Sequence, residues 1–411
     1  MASISPTQEI ERVARQSYGR LVAFLAAKTG DLMLAEDALS EAFAAALKNW
    51  PTQGIPENAE AWLMTTAKRK IIDEQRRQRG LTTDHGVELL AAVVKEQEAE
   101  ITQARIPDER LKLFFLCSHP AIDPAIRTPL TLQMVLGLDA ATIAQAFLVA
   151  PKAMSQRLVR AKLKIRDAKI PIRDLEPDEL PARLNSVLET IYAAYAIGCE
   201  LPTGADNKHG NLAEEAIWLG RVLVELMPEA PEALGLLALM LYNQARSEAR
   251  RSPSGDYVPL SEQDVSLWSR QLIDEAEQLL RRAYLSSAFG PYQLEAAIQS
   301  AHCQRAVVGE TDWPAIERLY AGLVKIAPSV GAMVGYAAAI GQSHGPAQAL
   351  AMLDSLTDKG IETYQPYWAL RAHLLAEMSL TAEAQAAFQR AVGLTEDPAV
   401  RKYLLDRMRL S

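Results

Sequence analysis

Apolar residues recur along the chain at the three- and four-residue intervals of an amphipathic helix, and alternating strand patterns are nearly absent. The three clearest stripes are Leu39, Phe43, Ala46 and Trp50; Leu63, Ala67 and Ile71; and Met154, Leu158, Ala161 and Ile165. Between these periodic segments, Ala, Leu, Glu, Gln and Arg favour helix as well. The pattern therefore predicts an all-α protein.

Gly- and Pro-rich breaks divide the predicted helices into four parts. A first helical module covers residues 1–80, and a polar, charged linker covers 81–106. A second helical module covers 107–170, and a C-terminal helical array covers 171–411. At 411 residues the chain exceeds a single ordinary core, so several domains are expected.

The array contains a recurring spacing. Ala216-x3-Gly220-x2-Leu223-x4-Pro228 is repeated by Ile316-x3-Tyr320-x2-Leu323-x4-Pro328, and more loosely by Ala384-x3-Phe388-x2-Ala391 with a late Pro398. Small residues where paired helices touch, followed by a proline, are typical of stacked helix hairpins of the tetratricopeptide (TPR) kind. An ordinary helical domain with accidental spacing is the alternative, because the loop at 251–257 interrupts the pattern.

The second module carries the pattern of a helix-turn-helix. A short helix over 141–147 and a turn over 148–150 precede a helix that Pro151 begins, where its missing N–H costs nothing. Lys152, Gln156 and Arg160 lie four residues apart on the face opposite the apolar stripe. Polar side chains near the start of such a helix reach base edges, and later cations neutralise phosphates. The predicted DNA-contacting residues are Lys152, Ser155, Gln156, Arg157, Arg160, Lys162 and Lys164.

The first module contains a second basic helix, predicted over 59–78. Trp62 begins it, and hydroxyl and basic side chains follow beside the apolar stripe. Aromatic, hydroxyl and basic groups together suit unstacked bases and backbone phosphates, although Trp62 also fits a core position. The predicted DNA-contacting residues are Trp62, Thr65, Thr66, Lys68, Arg69, Lys70, Arg76 and Arg77.

An acidic face precedes that basic helix. On the predicted helix over 35–50, the outward positions are Glu36, Asp37, Ser40 and Glu41, here called the docking face. Carboxylates repel DNA, so this patch indicates a protein partner within an otherwise basic module, or else a merely solvated helix face.

Charge is distributed unevenly between the two ends of the chain. Residues 1–170 hold 23 Lys and Arg against 20 Asp and Glu, a net charge of +3, whereas residues 171–411 hold 20 against 31, a net charge of −11. This asymmetry favours a nucleic-acid-facing part joined to a part that does not bind nucleic acid. Three distant cysteines, the absence of a signal-peptide pattern and the lack of long apolar runs predict a cytoplasmic protein.

The order of these features resembles a known family. AEDALSEAFAAALKNW (35–50) resembles sigma region 2.2, which docks on the β′ coiled coil of bacterial RNA polymerase, and AWLMTTAKRKIIDEQRR (61–77) resembles regions 2.3 and 2.4, which melt and read the minus-ten element. IPDERLKLFFLCSHPAI (106–122) and the segment 130–166 resemble region 4, which reads the minus-thirty-five element. The later segments LGLLALML (234–241), GPYQLEAAI (290–298) and TDWPAIERLY (311–320) resemble a TPR-like extension.

The resemblance implies an extracytoplasmic-function sigma factor with a long TPR-like C-terminal extension. Its expected partners are the polymerase core, promoter DNA, and a protein or intramolecular contact on the array. No phosphate loop, metal-spaced cluster or nucleophile pattern indicates an enzyme, a metal or a cofactor, and Cys117-Ser118-His119 does not match a metal site. Two alternatives remain: a helix-turn-helix regulator with a helical effector-binding domain, and a repeat scaffold that does not bind DNA.

Overall fold

The computed structural model describes residues 5–79, 108–147, 149–173, 175–176, 178–200, 212–286, 289–357 and 360–410. Within these ranges every regular element is a helix, apart from one antiparallel bridge between Arg251 and Tyr257. The all-α prediction is thus confirmed. The chain divides into two compact units, residues 1–219 and 220–411. No helix in the described ranges combines the length and apolar character needed to cross a membrane.

The first module consists of α1 (Pro6–Thr29), α2 (Leu32–Gln53) and α3 (Ala59–Arg79), which pack on one another. Gly30, with φ of 68°, ends α1, and Asp31 begins α2 by accepting from the backbone N–H groups of Met33 and Leu34. The predicted stripe of α3 is fully buried, and that of α2 is buried except at the half-buried Phe43. Burial of these stripes fixes which faces of α2 and α3 point outward.

The second module consists of α4 (Arg110–Cys117), α5 (Pro124–Leu136), α6 (Ala140–Ala146) and α7 (Pro151–Asp167). Asp139 accepts from the backbone N–H groups of Ala141 and Thr142 at 2.8 and 3.0 Å, which caps the start of α6. Helix α7 begins at Pro151, as predicted, and packs on α6 and α5. The predicted linker, 81–106, lies outside the described residues.

The next helix, α8 (Leu180–Glu200), packs against α4 and α5 of the second module. The Thr128 hydroxyl donates to the carbonyl oxygen of Thr190 at 3.2 Å, and the Arg183 guanidinium donates to that of Phe115 at 2.5 Å. Helix α8 falls in the predicted array by sequence, yet its contacts are with the second module. Helix α9 (Leu212–Leu226) then spans the boundary between the two units.

The second unit continues as successive helices that pack on their chain neighbours. They are α10 (Pro231–Ala245), α11 (Arg270–Tyr284), α12 (Pro291–Cys303), α13 (Arg305–Val308), α14 (Trp313–Ile326), α15 (Val330–His344), α16 (Pro346–Asp354), α17 (Gln365–Glu377), α18 (Thr381–Leu394) and α19 (Pro398–Leu410). The first three members of the repeated spacing fall on α9, α14 and α18. The first and third of them are buried in each copy, namely Ala216 and Leu223, Ile316 and Leu323, and Ala384 and Ala391. The TPR-like repeat itself stays a prediction.

The loop that interrupts the repeat pattern lies against the last helix of the same unit. Arg251 pairs with Asp397, Lys402 with Asp256 at 2.5 Å, and Arg407 with Glu262 at 2.7 Å. The rings of Tyr257 and Tyr403 pack edge to face with centroids 5.4 Å apart. These contacts join segments almost 150 residues apart, so they tie the start of the second unit to its end.

Candidate polymerase and nucleic-acid interfaces

The docking face lies on the side of α2 opposite its buried stripe. Asp37, Ser40 and Glu41 are exposed, as an outward face requires. Glu36 is different, because only 15% of its side chain is exposed. The sequence pattern predicted that all four side chains point outward. The low exposure of Glu36 corrects this prediction for that residue, which packs against Lys162 of α7.

Glu41 lies beside the basic helix α3. Its carboxylate pairs with the Lys70 ammonium at 2.8 Å, and this charged hydrogen bond lowers the pKa of Glu41 below its usual value. Both side chains are well exposed, so the pair contributes little to stability. It does place a polymerase-docking candidate and a DNA-contacting candidate within contact distance.

The aromatic and hydroxyl groups of α3 are only partly available to solvent. Trp62 is half-buried, and its ring meets that of Trp50 edge to face with centroids 5.5 Å apart. The Thr66 hydroxyl donates to the carbonyl oxygen of Trp62 at 2.8 Å, and Thr65 is half-buried. Trp62 is thus supported by the core and remains within reach of a ligand.

The basic side chains of α3 occupy different positions. Lys68 is half-buried and lies over the Phe24 ring, 5.4 Å from its centroid. Arg69 and Lys70 are exposed, and the exposed Arg77 pairs with Glu74 at 3.3 Å. The side chain of Arg76 lies outside the described residues. Arg69, Lys70 and Arg77 thus lie on the solvent side of the helix, as binding to phosphates requires.

The base-reading candidates of α7 are exposed. Its apolar stripe of Met154, Leu158, Ala161 and Ile165 is buried, which directs Lys152, Ser155, Gln156, Arg157, Arg160 and Lys164 to solvent. Lys162 differs from the expectation of a solvated cation. Its side chain is 9% exposed, and its ammonium donates to a carboxylate oxygen of Glu36 at 2.6 Å.

Comparison with protein families identifies the first helical module. Residues 13–80 match the model of sigma-70 region 2, and this match covers nearly all of α1–α3. The first module is thus similar to sigma-70 region 2. A region 2 of this kind implies binding to RNA polymerase core and to promoter DNA in transcription initiation.

Two further comparisons extend beyond region 2 without adding a function. Residues 183–284 match a family of unknown function, DUF6596. An uncharacterized protein of Rhizobium meliloti (strain 1021) is 37% identical over 384 residues, which cover 92% of this chain and 90% of that protein. No solved structure matches the chain significantly.

Cys117 and Ser118 of the Cys117-Ser118-His119 segment are buried at the end of α4. Burial raises the pKa of the Cys117 thiol to about 12, so the thiol stays protonated. Nδ1 of His119 accepts from the backbone N–H of Ala121 at 3.1 Å, just beyond the end of α4. Among the described residues, no group of His, Cys, Asp and Glu side chains is arranged to hold a metal ion.

Sequence reasoning missed the role of α8 as a support of the second module. Val187, Leu188 and Ile191 are almost completely buried, on the same helix as Arg183 and Thr190, which contact the second module. Their spacing at i, i+1 and i+4 predicts a buried face, but it does not tell which module that face contacts. That assignment required the tertiary structure.

Proposed function

We propose that this protein is a sigma factor of the extracytoplasmic-function type whose C-terminal helical array controls its activity. The docking face of α2 binds the β′ coiled coil of core polymerase. Helix α3 contacts the minus-ten element, and α7 enters the major groove at the minus-thirty-five element. The observation that carries the proposal is the region 2 match on a module with an acidic face on α2 and a basic face on α3.

Charge and exposure support the separation of polymerase docking from DNA binding. Asp37, Ser40 and Glu41 leave a solvent-facing surface on α2 that would repel phosphates. A protein surface carrying Arg or Lys is the complementary partner. We therefore assign this face to polymerase and the adjacent cations to nucleic acid.

The exposed face of α7 supports the assignment to duplex DNA. Lys152, Gln156 and Arg160 lie one above another and are exposed. Amide and guanidinium groups near the beginning of a helix make the hydrogen bonds that distinguish bases in the major groove. Each phosphate contact also releases counterions, so binding weakens steeply with salt.

Two modest DNA contacts are sufficient in this mechanism. Once core polymerase holds both modules, binding of one promoter element raises the effective concentration of the other reader at its own element. Tight operator binding without polymerase is therefore not expected, which distinguishes this proposal from an effector-controlled repressor.

The array is proposed as a built-in regulator or partner dock because its charge opposes that of the readers. Residues 171–411 carry a net charge of −11 against +3 for residues 1–170. An acidic helical array is suited to a basic surface, either on another protein or on the readers themselves. Whether it activates or inhibits is decided by comparing the full chain with a chain that ends at residue 200.

The decisive experiment measures binding to bacterial core polymerase by co-elution in size-exclusion chromatography. We expect the wild-type chain to co-elute and the double variant Asp37→Lys/Glu41→Lys to lose co-elution. The matched control is Glu11→Lys/Glu57→Lys, which makes the same change in charge at exposed positions outside the docking face. Failure of the wild-type chain and of residues 1–200 to bind core would refute the proposal.

A further inference from the structure

The connection between α11 and α12 in the second unit exposes a cluster of large apolar side chains. Tyr284, Leu285 and Phe289 are 67%, 81% and 58% exposed. The rings of Tyr284 and Phe289 lie against each other, with centroids 5.7 Å apart. Arg281 and Arg282 come just before this cluster on α11 and are also exposed. These five residues are here called the basic patch.

Contacts to neighbouring segments hold the basic patch in a defined position. The Arg282 guanidinium donates to the carbonyl oxygen of Pro228 at 3.1 Å, which fixes the end of α11. Glu232 on α10 accepts from the backbone N–H of Tyr292 at 3.1 Å, which fixes the beginning of α12 just after Phe289. The patch is therefore a preformed surface, so a partner that binds it loses little free energy in ordering it.

A second exposed apolar cluster follows the other end of α12. Val307 and Val308 on α13 are 70% and 65% exposed, and the exposed residues Glu310 and Asp312 come directly after them. Arg305 is engaged elsewhere, because its guanidinium donates to two backbone carbonyl oxygens at 2.9 and 3.0 Å. Val307, Val308, Glu310 and Asp312 are here called the acidic patch.

The two patches complement each other in charge. Residues 278–290 contain two Arg and no Asp or Glu, whereas residues 306–312 contain two carboxylates and no Lys or Arg. Arg281 pairs with Glu277 at 3.0 Å, but its side chain is 78% exposed, and such a surface pair contributes little free energy that a partner would have to replace. Both patches also expose apolar side chains that contact with another protein would bury.

The two patches lie at opposite ends of α12 in one molecule. The basic patch comes before Pro291 and the acidic patch comes after Cys303. The 13 residues of α12 span about 20 Å, at about 1.5 Å per residue. The patches are thus too far apart to cover each other, and a second copy of the chain supplies the complementary surface to each of them.

We propose that copies of this protein associate head to tail, with the acidic patch of one second unit seated on the basic patch of the next. In this contact the two valines pack on Leu285 and the aromatic rings, and the guanidiniums pair with the two carboxylates. Because the contact joins two different surfaces, each pair of copies leaves one patch of each kind free, so association continues into a ring or a filament. The proposal uses neither the docking face nor α7 and is independent of the proposed function.

Two substitutions each block one patch at a position that is mostly exposed. Leu285→Glu places a carboxylate in the basic patch, and Val308→Lys places an ammonium group in the acidic patch. The matched controls are Leu410→Glu and Ile326→Lys, because both residues are exposed and lie outside the two patches. Circular dichroism and thermal unfolding of the four full-length variants check that each keeps the wild-type fold.

Association is measured by sedimentation velocity of the full-length chain over a range of concentrations. We expect the wild type and both controls to sediment faster as concentration rises, and added salt to reduce this effect by screening the ion pairs. Each blocking variant alone should associate at least about tenfold more weakly, because an apolar contact is lost and a like charge is added. An equimolar mixture of the two should form a one-to-one dimer, since each variant retains the patch that the other lacks.

The mixture separates this contact from every other mode of association. A mixture that associates no more than its components would overturn the proposal, because it would show that the two patches do not bind each other. A wild-type chain that stays monomeric at every concentration would overturn it as well. Association that neither blocking variant weakens would place the contact elsewhere on the molecule and have the same consequence.

Discussion

The second module should depend on α8 for its stability, and truncation tests this directly. The first variant ends at residue 180 and lacks α8, whereas the second ends at residue 200 and retains it. Both lack the remainder of the array. Any difference between them therefore reports on the packing of α8 against α4 and α5 rather than on loss of the array.

The magnitude follows from the burial of α8. Val187, Leu188 and Ile191 are each at most 1% exposed. Burying each of these side chains contributes about 2 kcal/mol, or roughly 6 kcal/mol together. Ordering α8 costs conformational entropy that opposes this burial, so the net loss in the shorter variant is smaller than the gross burial. We use about half of the gross burial, about 3 kcal/mol, as the working value. That corresponds to about a hundredfold rise in the population of the open second module.

Amide hydrogen exchange measured by mass spectrometry is the suitable assay, because it reports the opening of each helix separately. Peptides from α5 should exchange about a hundredfold faster in residues 1–180 than in residues 1–200. Peptides from α2 are the internal control, because the main packing of α8 is against α4 and α5. Equal exchange of α5 in both truncations would refute the assigned role of α8.

Three further predictions concern stability. Urea unfolding should show that Gly235→Ala destabilises the second unit by about 1–2 kcal/mol, because the new Cβ would lie 2.8 Å from the backbone nitrogen of Gln293. In the same assay Gly393→Ala, whose Cβ would have no atom within 4 Å, should stabilise the unit by about 0.5–1 kcal/mol. Asp31→Ala should lower stability by about 1 kcal/mol by removing the cap of α2, with Asp31→Asn as the conservative control; equal losses in both would contradict a capping role. Burial raises the pKa of Glu295 to about 7, so the folded state binds its proton more tightly than the unfolded state does. The stability of the wild-type protein should therefore fall as pH rises from about 4.5 to 7, and thermal unfolding of Glu295→Gln should lack this decline. A variant with the same pH profile as the wild type would contradict the prediction.

Local pattern predicted the helices well wherever one amphipathic face was buried. The stripes of α3 and α7 are buried at every predicted position, and α7 begins at the predicted Pro151. These features succeed because helix periodicity and the properties of proline are local. The DNA-contacting and polymerase-docking roles of the exposed residues remain predictions, since exposure shows only that they are available.

The departures from the sequence analysis all involve contacts between distant segments. Lys162 and Glu36 have the charged side chains expected on outward faces, yet they are buried together across 126 residues of sequence. Helix α8 lies beyond a proline-rich break that predicts a domain boundary, yet it packs on the second module. Neither contact leaves a periodic signal in either segment alone.

The sequence by itself determined the all-α class, the inward stripes and the start of α7 at Pro151, because each depends on neighbours within one or two helical turns. The uneven charge follows from composition alone. Tertiary structure alone decided that Gly19 admits the Val135 backbone, that Lys162 compensates Glu36, and that α8 completes the second module. A charged side chain stays solvated unless another segment covers it and supplies a group of opposite charge, because only such a partner offsets the cost of desolvation.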